Sequence, residues 1–230
     1  MLSVENLNGY YGAIQVLFSI NFKVEHGDMV AIVGSNGAGK TSLLKSIMNI
    51  ELWKEGKIVF EGIDITRLPT HRIARLGILY IPDTGGLYHG LTTLENMQLA
   101  AGRKIIEIDR IKEIYPRIEE LLNRPTDKLS GGERKIVSIL RSLLIETKLI
   151  LLDEPTEGVS PVITEEIYRM LKRLNEEGKT IVVVEPGSRL KIALKHVNKI
   201  GVMRTGKLEY FDTTEKALKE LELLKKLIFI

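Results

Sequence analysis

Three short stretches of this 230-residue sequence combine residue types that could do chemistry. The first, Gly34-Ser35-Asn36-Gly37-Ala38-Gly39-Lys40-Thr41, fits the pattern G-x-x-x-x-G-K-S/T and is followed by Ser42. Glycines let the backbone curl so that successive N–H groups face a phosphate, and the start of a helix behind them adds about half a positive charge. Lys40 would reach the outer phosphates of a polyphosphate, and the Thr41 hydroxyl would ligate a divalent cation. A flexible turn is the plain alternative. Against it, the apolar run at 29–33 reads as a buried strand, and Leu43, Leu44, Ile47 and Met48 recur at helical spacing, which is the context this motif requires.

The second stretch, Leu149-Ile150-Leu151-Leu152-Asp153-Glu154, is an apolar strand ending in two carboxylates. Asp153 would hold the cation through a water, and Glu154 would polarise the water that attacks the terminal phosphate, although either acid could be only a cap for the next helix. The third, Leu129-Ser130-Gly131-Gly132-Glu133, precedes an amphipathic helix and puts a hydroxyl and glycine N–H groups at a second helix start. This is a second anion site or a plain cap. One chain holding one nucleotide has no use for two terminal-phosphate sites. The sensible geometry is therefore a head-to-tail pair with two-fold symmetry, each serine-glycine loop closing the other copy's nucleotide.

The elements that would position these residues can be read from periodicity. The first third alternates β-branched or aromatic with polar residues at 2–7, 18–24 and 57–60, which predicts short, mostly antiparallel strands. The middle, 83–145, reads as helical, with Ile105, Ile108, Ile111, Ile114 and Ile118 recurring every three or four residues and Ile136, Ile139, Leu140, Leu143 and Leu144 doing so later. Then α/β alternation returns. Ser160 and Pro161 suit the N-cap and first turn of a helix stopped by Gly178, 180–184 is a buried strand, a hairpin turns at Thr205 and Gly206, and one amphipathic helix carrying Ala217, Leu218, Leu221 and Leu224 ends the chain.

Bulk composition bounds the rest. With 44% hydrophobic residues the chain can bury a sizeable core, and 33 basic against 30 acidic residues fall short of the concentrated basic stripe that nucleic-acid binding needs. Cysteine is absent, which excludes disulfides, thiolate zinc sites and a cysteine nucleophile. The first residues lack the basic and apolar regions of a signal peptide, and no apolar run approaches the roughly 18 residues that span a bilayer, so a cytosolic location is expected unless a partner tethers the chain to a membrane.

With LSGGE lying about twenty residues before LLDEP, the sequence resembles the ABC ATPase family over essentially its whole length. The resemblance implies an α/β fold. It would have a P-loop NTPase (RecA-like) core at 1–82 and 146–230 with an antiparallel β part, and a mainly helical subdomain at 83–145. It implies ATP and Mg2+ as ligands: Lys40 and Glu154 catalytic, 34–42 on the phosphates, Ser130, Gly131, Gly132 and Glu133 on the other subunit's nucleotide, and Thr41, Asp153 and Asp83 on the metal. It also implies Tyr11 stacked on adenine, with Tyr10 beside it a rival. The implied partners are a second ABC ATPase subunit, identical or related, and transmembrane permeases that hold the chain on the inner face of the membrane.

Three positions depart from the general family pattern: Asp83 where most relatives have glutamine, Pro186 where a histidine usually contacts the γ-phosphate, and Ser160 in place of an aspartate. Proline has no side-chain donor and no N–H, so weak or partner-dependent hydrolysis is expected. The run at 9–17, the Asn36-Gly37-Ala38-Gly39 form of the loop, the acid at Asp83 and the histidine-free segment after Val184 resemble the ATPase subunits of branched-chain amino-acid importers. The alternatives are a non-transport ABC ATPase, such as an iron-sulfur assembly factor, and a degenerate nucleotide-binding subunit. Repair ATPases separate their two motifs by long coiled coils; here about a hundred residues intervene without sustained heptads. A GTPase would need an Asn-Lys-x-Asp loop, which is absent, and a kinase has no need of LSGGE.

Overall fold

Val30, Ala31, Ile32 and Val33 are all fully buried, the pattern of a parallel strand covered on both faces. The computed structural model describes residues 1–229 and places this run at the centre of a six-stranded sheet. The chain opens with β1 (Leu2–Tyr11) and β2 (Ile14–Val24), then β3 (Met29–Gly34), α1 (Lys40–Met48), β4 (Trp53–Phe60), the short β5 (Ile63–Asp64), α2 (Thr70–Arg75) and β6 (Ile78–Ile81). A helical stretch follows: α3 (Thr93–Ala101), α4 (Ile108–Ile114), α5 (Glu119–Leu122) and α6 (Gly131–Leu140). Alternation resumes with β7 (Leu149–Asp153), α7 (Pro161–Glu176), β8 (Thr180–Pro186), α8 (Leu190–His196), β9 (Lys199–Arg204) and β10 (Lys207–Thr213), and α9 (Thr214–Lys219) and α10 (Leu221–Phe229) close the described chain.

The large sheet has the order β10-β9-β3-β8-β7-β6, parallel except for β10 at its edge. A second, antiparallel sheet has the order β2-β1-β4-β5. Because side chains alternate across a strand, Val30, Ile32, Leu151 and Val182 pack with α1 and the antiparallel sheet, while Ala31, Val33, Leu152 and Val183 pack with α6, α7 and α8. The fold is thus α/β with a parallel-rich core sheet and an antiparallel partner sheet, as expected of a P-loop NTPase. α7 is held on its face by Ile167, Leu171 and Leu174, each fully buried and each stabilising by about 1.5–3 kcal/mol. It starts as expected: Ser160 Oγ accepts from the Ile163 amide, and Pro161 needs no partner for the N–H it lacks.

Several expectations need correction. β1 and β2 run well past 2–7 and 18–24, because Gly9 leaves room for Leu17, whose Cδ1 would lie 2.9 Å from a Cβ there. β6 was not foreseen; it is only four residues long and merges with the following loop. The isoleucine series is not one helix. Ile105 is 92% exposed and precedes α4, and Pro116 takes Tyr115 out of the helical region, so Ile118 falls on a separate turn. The terminal helix is also two, parted at Glu220, with Leu218 turned to solvent and Ala217 and Leu224 buried.

Candidate active site

β3, β7 and β8 end side by side, with Gly34 opposite Pro186 and Asp153 opposite Val184. Ligands of open parallel sheets bind at this carboxyl edge. Gly34 is required by its neighbour rather than by curvature: a Cβ would stand 2.3 Å from the Met203 carbonyl oxygen. Gly39, at φ 96, makes the left-handed turn that starts α1. The β9–β10 turn braces the loop, because the Gly206 amide donates to the Ala38 carbonyl at 2.9 Å. The resulting open cleft, of about 670 Å³, is lined by residues that include Asn36, Gly37, Lys40, Thr41, Glu154 and Thr205.

Lys40 is 3% exposed, and its ammonium donates to the Gly34 and Ser35 carbonyls at 3.2 and 3.1 Å. It also lies 3.0 Å from Glu154 Oε1. Thr41 Oγ1 donates to Asp153 Oδ1 at 2.9 Å, and the Tyr80 phenol donates to Oδ2 at 2.9 Å. Burial raises the Asp153 pKa above the usual carboxylate range, and the two hydroxyl donors offset this only in part. A hydroxyl beside a buried carboxylate is an all-oxygen donor set, which fits a small hard cation such as Mg2+. The same burial, with Asp153 next, pushes the Tyr80 phenol far up, so it stays a donor.

Glu154 has φ 45, a left-handed backbone that costs a non-glycine residue about 1–3 kcal/mol. The surroundings enforce it: the Glu154 amide donates to the Val184 carbonyl at 2.9 Å, and Lys135 Nζ on α6 donates to the Glu154 carbonyl at 2.7 Å. Burial works to raise its pKa, but a hydrogen bond shared with Glu157 and the Lys40 ammonium outweigh it and hold the carboxyl below its usual range. Sharing that bond pushes the Glu157 carboxyl up.

The other expected site residues do not line this cleft. Ser130 caps α6 in a reciprocal box: its Oγ accepts from the Glu133 amide at 3.2 Å, and Glu133 Oε2 accepts from the Ser130 amide at 2.7 Å. Glu133 is further occupied by Arg124 at 2.7 Å, so its carboxylate turns back on its own helix. Ser130 and Gly131 are exposed, and none of 130–133 lines the cleft. Tyr10 packs on Trp53 with ring centroids 5.0 Å apart, leaving the neighbouring Tyr11 ring 37% exposed at the end of β1. Asp83 is exposed just past β6 and accepts from the Thr84 amide at 2.8 Å. Among the described residues no three His, Asp or Glu side chains converge as a metal cluster, and the Asp83 charge lies near enough to Asp153 to help raise that carboxyl.

The ABC transporter family profile matches residues 17–157. The chain belongs to the ABC transporter ATPase family. Among the relatives of this ABC ATPase, the high-affinity branched-chain amino acid transport ATP-binding protein BraG of Pseudomonas aeruginosa is 32% identical over 93% of both chains. The lipopolysaccharide export system ATP-binding protein LptB of Escherichia coli is 31% identical over 84% of this chain and 83% of its own. A solved dimeric ATP-binding cassette in a post-hydrolysis state with ADP and phosphate superposes with a TM-score of 0.80, at 26% identity over 93% of this chain and 99% of that one.

In this ABC ATPase, sequence motifs did not announce four groups that the fold brings to the site. Tyr80 was visible only as the residue before a loop, Lys135 only as one charge on an amphipathic helix, Glu157 only as a loop residue and Thr205 only as part of a hairpin turn. Glu157 had a usable signal, since it lies three residues beyond a strand-end acid. Among the described residues no helix is long and apolar enough to cross a membrane.

Proposed function

We propose that this ATPase subunit powers import of branched-chain amino acids, acting as one half of a dimer that sandwiches two ATP molecules. The observation that carries the solute class is the similarity to BraG along nearly the full length of both chains. The catalytic reading rests on Glu154, held anionic beside Lys40 at the end of β7. In this reading, loop amides at 35–41 and Lys40 would grip the β- and γ-phosphates, Thr41 and Asp153 would hold Mg2+, and Glu154 would orient and deprotonate the attacking water. Bound Mg2+ would neutralise charge on the phosphate oxygens. Tyr11 would stack on adenine, and Ser130, Gly131 and Gly132 would cover the partner's γ-phosphate from a helix start. Asp83 belongs beside the groove that receives a permease, which would keep the chain on the cytoplasmic face of the membrane. The residues at 83–145 would form the subdomain that carries this contact.

The similarity to LptB favours a second reading, an ATPase that drives lipid-linked export. Reconstitution separates the two. The chain would be co-expressed with candidate permease and ATPase subunits, purified through the permease and placed in proteoliposomes. Stimulation of ATP hydrolysis by a leucine-loaded binding protein supports import. No stimulation there, with extraction of a lipopolysaccharide-type lipid, would overturn it.

A further inference from the structure

Glu185 is fully buried on β8, one residue after Val184, whose carbonyl accepts the Glu154 amide. Side chains alternate along the strand, so Val184 faces α1 while Glu185 faces α7 and the loop at 154–160, on the opposite face of the sheet. Neither of its carboxyl oxygens makes a well-formed hydrogen bond, and two other polar atoms of this region, Thr156 Oγ1 and the Tyr168 hydroxyl, are equally buried and unpartnered. Native proteins rarely leave such groups unpaired without a reason. Arg189, in the turn before α8, reaches the same loop from the other end, donating to the Thr156 and Val159 carbonyls at 2.9 and 3.2 Å.

The groups that face Glu185 are the Thr156 hydroxyl and Glu154 from the loop, Arg189 from the turn, Lys135 from α6 and the Tyr168 phenol from α7. Burial dominates over Thr156, Arg189 and Lys135 and pushes the carboxyl up to about 8, so at neutral pH it is an uncharged acid with one donor and one acceptor. A small shift of the loop would let it pair with Thr156. Catalytic contacts of this kind are often open without substrate and close in the working complex.

We propose that Glu185 and Arg189 are positioning residues for hydrolysis, a latch beneath the loop at 154–160 that fixes the Glu154 carboxylate against the attacking water. Neither touches the nucleotide cleft, and Pro186 between them offers no side-chain donor of its own. The inference rests on the reading of Glu154 as the carboxylate that activates water.

The test compares full-length wild type with Glu185→Gln, Glu185→Leu, Arg189→Met and Glu154→Gln, measuring MgATP affinity, melting temperature and hydrolysis between about pH 6 and pH 9. Misplacing the carboxylate should lower kcat by about tenfold or more in Glu185→Leu and Arg189→Met, with the ATP Kd changed less than about twofold. Glu185→Gln keeps a donor and an acceptor, so it should restore most of the turnover at neutral pH. It should also hold that turnover above about pH 8, where the wild type declines as Glu185 ionises. Wild-type kcat in Glu185→Leu and Arg189→Met would overturn the proposal, as would kcat falling in step with melting temperature in all three variants. Should Glu185→Leu fail to fold, an alkaline profile of Glu185→Gln parallel to wild type overturns it, and a flat one supports it. A Glu154→Gln chain with full activity would instead remove the reading of Glu154. An inactive one beside normal Glu185→Leu and Arg189→Met would remove the latch alone.

Discussion

The Lys40 ammonium and the Glu154 carboxylate lie 3.0 Å apart, joining the phosphate loop to the end of β7. In the proposed reading, the cation that would meet the outer phosphates and the anion that would activate the attacking water thus hold each other. Both are largely buried, so the pair is screened less than a surface ion pair.

An incoming γ-phosphate has to draw Lys40 away from this partner. Glu154→Gln removes the competing charge, so ATP should bind about three- to tenfold more tightly to the variant, a gain of about 0.7–1.4 kcal/mol. Hydrolysis should fall at least about 100-fold, because the base is gone. Titration with a fluorescent ATP analogue and phosphate-release kinetics would measure both. Weaker binding together with unchanged turnover would be incompatible with this arrangement.

Tyr80 donates to Asp153 Oδ2 while Thr41 donates to Oδ1, so the carboxylate is oriented from both sides. Supporting partners of metal ligands affect metal affinity by about 10- to 100-fold. Tyr80→Phe should therefore raise the Mg2+ concentration needed for half-maximal hydrolysis by about tenfold and leave metal-free nucleotide binding nearly unchanged. An unaltered Mg2+ requirement would show that Asp153 is oriented without the phenol.

Glu185 also gives stability a pH signature. Its folded pKa, about 8, stands above the ordinary 4.5, so between those values the native chain holds a proton that the unfolded chain has released. The stability of wild type relative to Glu185→Gln is then fully present below the lower value and is lost as pH rises towards the upper one. Thermal melts of both proteins at about pH 5, 6, 7 and 8 would show their difference widening against wild type. Taking the difference cancels the other titrating groups, including Asp153. A constant difference would mean that Glu185 is ionised in the folded chain.

How legible was this in the sequence? The phosphate loop, the strand-end acids and the capped helix start are local, set by residues within a few positions of each other, so spacing alone placed them on β3–α1, at the end of β7 and at the start of α6. The β4 and β6 boundaries and the break at Pro116 depended on what packs against each segment, which periodicity does not contain. The same holds for the site. Lys40 and Glu154 were named from motifs, but Lys135, Tyr80 and Arg189 act through backbone carbonyls or a carboxylate distant in sequence, and only the folded sheet brings them there.

Gly131 offers a way to separate folding from assembly. It is exposed, a Cβ added to it meets nothing within 4 Å, and its backbone does not require positive φ. Aspartate therefore fits at this position in the single chain, and near a helix start its charge is slightly favourable, by about 0.3–1 kcal/mol. In the dimer proposed above, the same carboxylate would face the partner's γ-phosphate at close range, where like charges repel strongly. Gly131→Asp should consequently melt at or slightly above the wild-type temperature and bind ATP normally as a monomer. In a Glu154→Gln background, where ATP is not consumed, the unmodified chain or its complex with a related subunit should dimerise on adding MgATP, and the aspartate variant should not. Light scattering after size exclusion reads this directly. Equal ATP-driven dimerisation of both proteins would place the 130–132 loop away from the partner's nucleotide and remove the sandwich from the account.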